Sequence, residues 1–80
     1  MSEKTDSIID AMKEIQNDPA VPKNVKKKLD DAIAILNEDA DLSIKKDKAL
    51  HLLDDMSEDT TMQAYIRTQI WNIVSALETL

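Results

Sequence analysis

Four stretches of the chain repeat apolar residues at intervals of three and four. Ile8, Met12 and Ile15 follow i, i+4, i+7, with Ile9 and Ala11 flanking, and Val25, Leu29, Ala32, Ile33 and Leu36 continue the same rhythm. Ala49, Leu52, Leu53 and Met56 form a third stripe, with Leu50 and Ile44 on its margins; Met62, Ile66, Ile70, Ile73, Leu77 and Leu80 form a fourth. Such spacing gathers apolar side chains on one side of an α-helix, so the pattern predicts four amphipathic helices.

The residues between the stripes support this division. Asn17-Asp18-Pro19-Ala20-Val21-Pro22 separates the first two helices, because each proline pushes its predecessor out of the helical region and Pro22 suits a first helical position. Asn17 and Asn37 are expected as left-handed helix terminators. Glu38-Asp39-Ala40-Asp41-Leu42-Ser43 makes the second connection, with Asp41 or Ser43 as cap. Thr60 followed by Gln63 has capping-box spacing and is expected to open the fourth helix. Short connections make sequential helices antiparallel neighbours.

The stripes also repeat. With a shift of 41 positions, Val21, Val25, Leu29, Ala32, Ile33 and Leu36 fall on Met62, Ile66, Ile70, Ile73, Val74 and Leu77, and Asp18 falls on Asp59. The chain therefore reads as two related antiparallel hairpins, about 5–38 and about 42–80, within one domain, 1–80. Asp18-Pro19 with Val25-Lys26, and Asp59 with Ile66-Arg67, resemble a HEAT-type repeat, although Thr60 stands where Pro19 stands and the turn is longer. Two hairpins are too few for a solenoid. The expected architecture is an all-α, up-and-down four-helix bundle.

Composition narrows the function classes. No cysteine excludes disulfides, thiolate metal sites and thiol catalysis, and no glycine excludes phosphate-cradling loops and nucleophile elbows in their usual form. The longest apolar run is five residues, Ala32 to Leu36, so no membrane span is expected and a cytoplasmic setting is the simplest reading. A domain of 80 residues buries only roughly 60–65% of the surface of its unfolded chain, which makes self-association plausible before any motif is read. Ten Lys and Arg stand against sixteen Asp and Glu, a net charge of −6, which works against nucleic-acid binding.

Two signatures, Asp18-Pro19-Ala20-Val21-Pro22-Lys23-Asn24-Val25-Lys26 and Arg67-Thr68-Gln69-Ile70-Trp71-Asn72-Ile73-Val74-Ser75-Ala76-Leu77-Glu78, resemble uncharacterised protein family 0147, a set of small archaeal proteins. The resemblance covers nearly the whole chain. It implies a compact four-helix fold and an archaeal cytoplasm, and it carries no activity and no functional residue with it.

Three constellations have chemical content. The single histidine, His51, lies four residues from both Asp47 and Asp55 on one helical face, a weak candidate for a divalent cation and more commonly a solvated surface. Lys23, Lys26, Lys27 and Lys28, and again Lys45, Lys46 and Lys48, sit at helix starts, where the helix dipole disfavours cations. They form either an anion or RNA site or one half of a charge match with acidic residues of neighbouring helices. Acidic pairs such as Asp30-Asp31, Asp54-Asp55 and Glu58-Asp59 do acid–base work only in a pocket that shifts their pKa values, so no enzyme activity and no cofactor are expected.

The fourth helix is the most informative. Between Thr61 and Leu80 it carries two charges, Arg67 and Glu78, while Ala64, Thr68, Trp71 and Ser75 form a second stripe away from the core. Their counterparts in the first hairpin are Lys23, Lys27, Asp30 and Ala34, so a charged face has become small, neutral and aromatic. Either Trp71 packs inside the monomer, or this face, with Ala64, Arg67, Thr68, Ser75 and Glu78 around Trp71, meets a protein partner or a second copy. Tyr65 lies off both stripes. The expected function is a non-catalytic protein–protein interaction module, with a homodimer through helix four as one form; weak metal or anion binding is the alternative.

Overall fold

The computed structural model describes residues 3–59 and 62–80, and these form four helices: α1 (Glu3–Gln16), α2 (Lys23–Leu36), α3 (Leu42–Ser57) and α4 (Ala64–Glu78). Each helix packs against its neighbours in sequence, and α1 closes against α4. Two cross-helix bonds fix the directions. Lys46, at the start of α3, reaches the carbonyls of Glu78 and Leu80 at the end of α4, and Tyr65, at the start of α4, reaches Asp18 just after α1. The helices therefore run up and down in turn, with α1 and α4 antiparallel.

The four stripes meet in one core. Ile8, Met12, Ile15, Val25, Leu29, Ala32, Leu36, Ala49, Leu53, Met56, Met62, Ile66, Ile70, Ile73 and Leu77 are buried, as the spacing predicts, and are joined by Ile9, Val21 and Val74. Ile33, Leu50, Leu52 and Leu80 pack on its margin. Among the described residues no buried side-chain nitrogen or oxygen lacks a hydrogen-bond partner. Burial at this scale, at about 25 cal/mol per Å² of apolar surface, is what holds helices that are marginal in isolation.

Helix ends differ from the sequence expectation in four places. Neither Asn17 nor Asn37 is left-handed, since no described residue has positive φ. Asn37 stays right-handed at φ −90°, ψ −5° and returns its amide to the carbonyls of the last turn, a tightened ending that needs no glycine-like geometry. Pro22 is the N-cap of α2 rather than its first helical residue, with extended φ −61°, ψ 152°. The fourth helix begins at Ala64 with Gln63 as N-cap; Thr60 lies outside the described residues. Met62 therefore precedes the helix, yet it is buried in the core: its side chain keeps the four-residue spacing without being helical. Asp41 caps α3 by position, without a side-chain bond.

The two turns at the other end of the bundle match. The amide of Val21 donates to the carbonyl of Asp18 at 3.1 Å and that of Met62 to Asp59 at 3.4 Å. The carboxylate of Asp18 also accepts from the amide of Ala20 at 2.9 Å, which stiffens the first turn.

Candidate functional site

All six residues of the expected contact face, Ala64, Arg67, Thr68, Trp71, Ser75 and Glu78, are exposed on α4. Trp71 is 55% exposed, which places it outside the monomer's core. The core side of α4 is taken by Ile66, Ile70, Ile73 and Leu77, leaving the opposite side of the helix to this stripe. The Thr68 hydroxyl donates to the carbonyl of Ala64 at 3.1 Å, so this side chain spends its proton within its own helix. Two charges at the borders, a tryptophan at the centre and small residues between describe a surface that costs little to desolvate.

Beside this face lies a groove that the sequence did not suggest. Where α1 meets α4, a cleft of about 290 Å³ is lined by Ser7, Ile8, Ala11, Glu14 and Ile15 on one wall and Gln69, Asn72, Ile73 and Ala76 on the other. Core residues Ile8, Ile15 and Ile73 form its apolar part. A second depression, bordered by Glu3, Lys4 and Thr79, shares Ser7, Ile8 and Ala76 with it and continues it toward the end of α4. The signal in the sequence was Ser7 and Ala11 next to the α1 stripe and Ala76 next to that of α4: short side chains on facing flanks leave helices with a seam rather than a filled interface.

Tyr65, 46% exposed, is also placed by the structure. Its hydroxyl donates to the Asp18 carboxylate at 2.8 Å, and the side-chain amide of Asn24 donates to Asp59 at 3.4 Å. The Ala20 amide, then the Tyr65 hydroxyl, and the charge of Lys26 hold the Asp18 carboxyl below its ordinary range. The same bond raises the Tyr65 hydroxyl, because ionising it would lose the proton that Asp18 accepts. Gln16 donates to the Lys26 carbonyl at 3.0 Å and to Asp30 at 2.8 Å, tying α1 to α2.

The lysines at the start of α3 gain an explanation. Lys45 donates to the carbonyl of Leu36 at 3.3 Å and Lys46 to those of Glu78 and Leu80 at 3.1 and 3.5 Å. In an antiparallel bundle the start of α3 lies beside the ends of α2 and α4, whose dipoles and unpaired carbonyls attract cations. Lys48 approaches Glu38 at 4.0 Å, in line with charge matching. Asp47, His51 and Asp55 are exposed along the outside of α3. Eight residues of helix separate the two carboxylates by about 12 Å, too far for one cation to bind both. Among the described residues no three of His, Asp and Glu form a group that could hold a metal ion.

The sequence model of the Uncharacterised protein family (UPF0147) matches residues 1–80. The chain belongs to this family. A UPF0147 protein of Methanocaldococcus jannaschii is 42% identical over 66 residues, 81% of this chain and 71% of its own, and one of Thermococcus kodakarensis is 35% identical over 80 residues, 98% and 96% of the two chains. The crystal structure of the protein of unknown function MMP1188 superposes with a TM-score of 0.91 at 42% identity, covering 98% of this chain and 90% of that one. That of a UPF0147 protein from Thermoplasma acidophilum also gives 0.91, at 32% identity, covering 96% and 92%. The four-helix UPF0147 fold is thus shared with solved structures, and the function of the family is unknown. Among the described residues no UPF0147 helix here is long and apolar enough to cross a membrane.

Proposed function

We propose that this protein is a non-catalytic protein–protein interaction module of the cytoplasm, working through the outer face of α4. The observation that carries this reading is the exposure of Trp71 at the centre of a face whose charges lie only at Arg67 and Glu78. Tryptophan is enriched at binding hot spots, and an indole more than half exposed among small neutral residues lies outside the monomer's core. Ala64, Thr68 and Ser75 supply a shallow seat and Arg67 and Glu78 the polar rim.

The reading also treats the chain as two related hairpins with a HEAT-like pattern. In support, α1 and α3 end at Gln16 and Ser57, and α2 and α4 begin at Lys23 and Ala64, both pairs 41 residues apart. On this view the second hairpin has exchanged the charged outer face of the first for a contact face. The experiment is the solution mass by light scattering over a wide concentration range, with partner capture beside it, for the native protein and Trp71→Ala. The substitution is expected to abolish association while leaving the helical content unchanged. Association and partner binding that survive it would sink the proposal.

A further inference from the structure

We propose that the occupant of this surface is a second copy of the chain, related by a two-fold axis parallel to the helices, with each Trp71 indole seated in the other copy's α1–α4 groove. The inference rests on the reading of α4 as an interaction face and adds the partner and its geometry.

Area makes the first argument. The 15 residues of α4 run about 22 Å on a helix about 10 Å wide, so the Trp71 stripe alone projects about 220 Å². A stable interface removes roughly 800 Å² of accessible surface from each partner. The stripe therefore falls well short, and a stable contact must take in most of a side of the molecule, which measures 33 × 20 Å along its two longest directions. On this side the additional surface is the groove and the edge of α1.

Register makes the second. Ala76 borders both depressions together with Ser7 and Ile8, so in the antiparallel pair Ala11 is level with Asn72, and Glu14 with Gln69. A dyad parallel to the helices keeps every residue at its level and exchanges the two lateral borders. Trp71, adjacent to Asn72 in sequence, then meets the middle of the partner's groove, and Gln69 and Asn72 offer side-chain oxygens to its ring N–H. A dyad perpendicular to the helices instead stacks stripe on stripe and leaves both grooves open. The cleft, about 290 Å³, has room for one tryptophan side chain at the level of Ala11 and Asn72.

Charge makes the third. Two chains of net charge −6 repel wherever their acidic surfaces meet. Between the borders, the α4 residues Ala64, Thr68, Gln69, Trp71, Asn72, Ser75 and Ala76 are all uncharged. At the borders stand Arg67 on one edge and Glu14 on the α1 wall, within about one helical turn of the same level, so the same dyad sets each arginine toward the partner's glutamate.

The test is sedimentation equilibrium with emission from the single tryptophan. The native protein is expected to dimerise with a blue shift of that emission. Trp71→Ala and Ala11→Leu, which fills the groove from its α1 wall and leaves the sequence of α4 unchanged, are each expected to weaken the dimer more than about 30-fold, the fold-change of a hot-spot truncation. Circular dichroism verifies folding. Arg67→Glu should weaken the dimer and Arg67→Glu with Glu14→Arg restore it, a readout on exposed residues that does not depend on the groove variant folding. A dimer broken by Trp71→Ala but untouched by Ala11→Leu and by the charge exchange overturns the groove seat and leaves the α4 reading standing. A native protein monomeric at millimolar concentration overturns the second copy as occupant; loss of a captured partner on Trp71→Ala would then keep the α4 reading alone.

Discussion

Leu29 sits at the centre of α2 with no exposed surface. Replacing it with alanine removes three carbons from the core, about 2.4 kcal/mol at roughly 0.8 kcal/mol each. The unfilled space brings the expected cost to about 3–4 kcal/mol, inside the range measured for buried leucines. A domain of 80 residues has a total stability of about 4–12 kcal/mol, so the variant should keep its fold with a large part of its margin gone. With a urea slope of about 1 kcal/mol per molar for a chain this small, the midpoint of unfolding should fall by about 3 M. Far-UV circular dichroism is the suitable probe, because Trp71 lies outside the core of the chain and its emission follows association as well as folding. Ile44→Ala is the control: its side chain is 48% exposed at the start of α3, and its loss should cost about 0.5 kcal/mol. Equal shifts for the two variants, or a cost below about 1 kcal/mol for Leu29→Ala, would refute a core centred on these stripes.

Gln63 holds the N-cap position of α4 at φ −66°, ψ 149° with no side-chain bond to the helix; Gln63→Asp should add about 1 kcal/mol through capping and the dipole, read as a rise of about 4–8 °C in Tm, and an unchanged Tm would reject the assignment. The Asp18–Tyr65 bond predicts a stability plateau with two edges. Asp18 is lowered from 3.8, so its contribution is present above that value and is lost as pH falls through the lower folded one. Tyr65 is raised from 10.0, so its contribution is present below that value and is lost as pH rises through the higher folded one. Tyr65→Phe should remove the alkaline edge and keep most of the acid edge, since the Ala20 amide is the larger influence on Asp18; urea midpoints that follow the same pH curve in both proteins would exclude the coupling.

The four stripes were legible because burial acts on spacing: Val25 through Leu36 and Ile66 through Leu77 reach the core at the positions their periodicity marks. Helix ends were less legible. The burial of Met62 obeys the helical period while its backbone precedes α4, and Asn37 ends α2 by a route that its residue type does not disclose. The stripe on α4 was legible as a face, but its exposure was not, because the period that separates Trp71 from Ile70 and Ile73 does not say whether another element covers it. The groove and the Asp18–Tyr65 bond were hidden for a further reason: both are made by residues far apart in sequence, the groove by two helices joined by no loop and the bond by a turn residue and the first turn of α4. Lys45 and Lys46 broke the dipole rule of their own helix because they serve the ends of two others, a rule visible only once antiparallel neighbours are in place.

The groove between α1 and α4 runs up to Glu3, Lys4 and Thr79, close to both limits of the chain. A segment attached after Thr79 starts beside this mouth of the groove. A short flexible tether there would hold its first residues over the seam at an effective concentration on the order of millimolar. Weak affinity would then suffice for such a segment to compete with a partner arriving from solution. Purification tags fall in this class, and association is best measured after their removal.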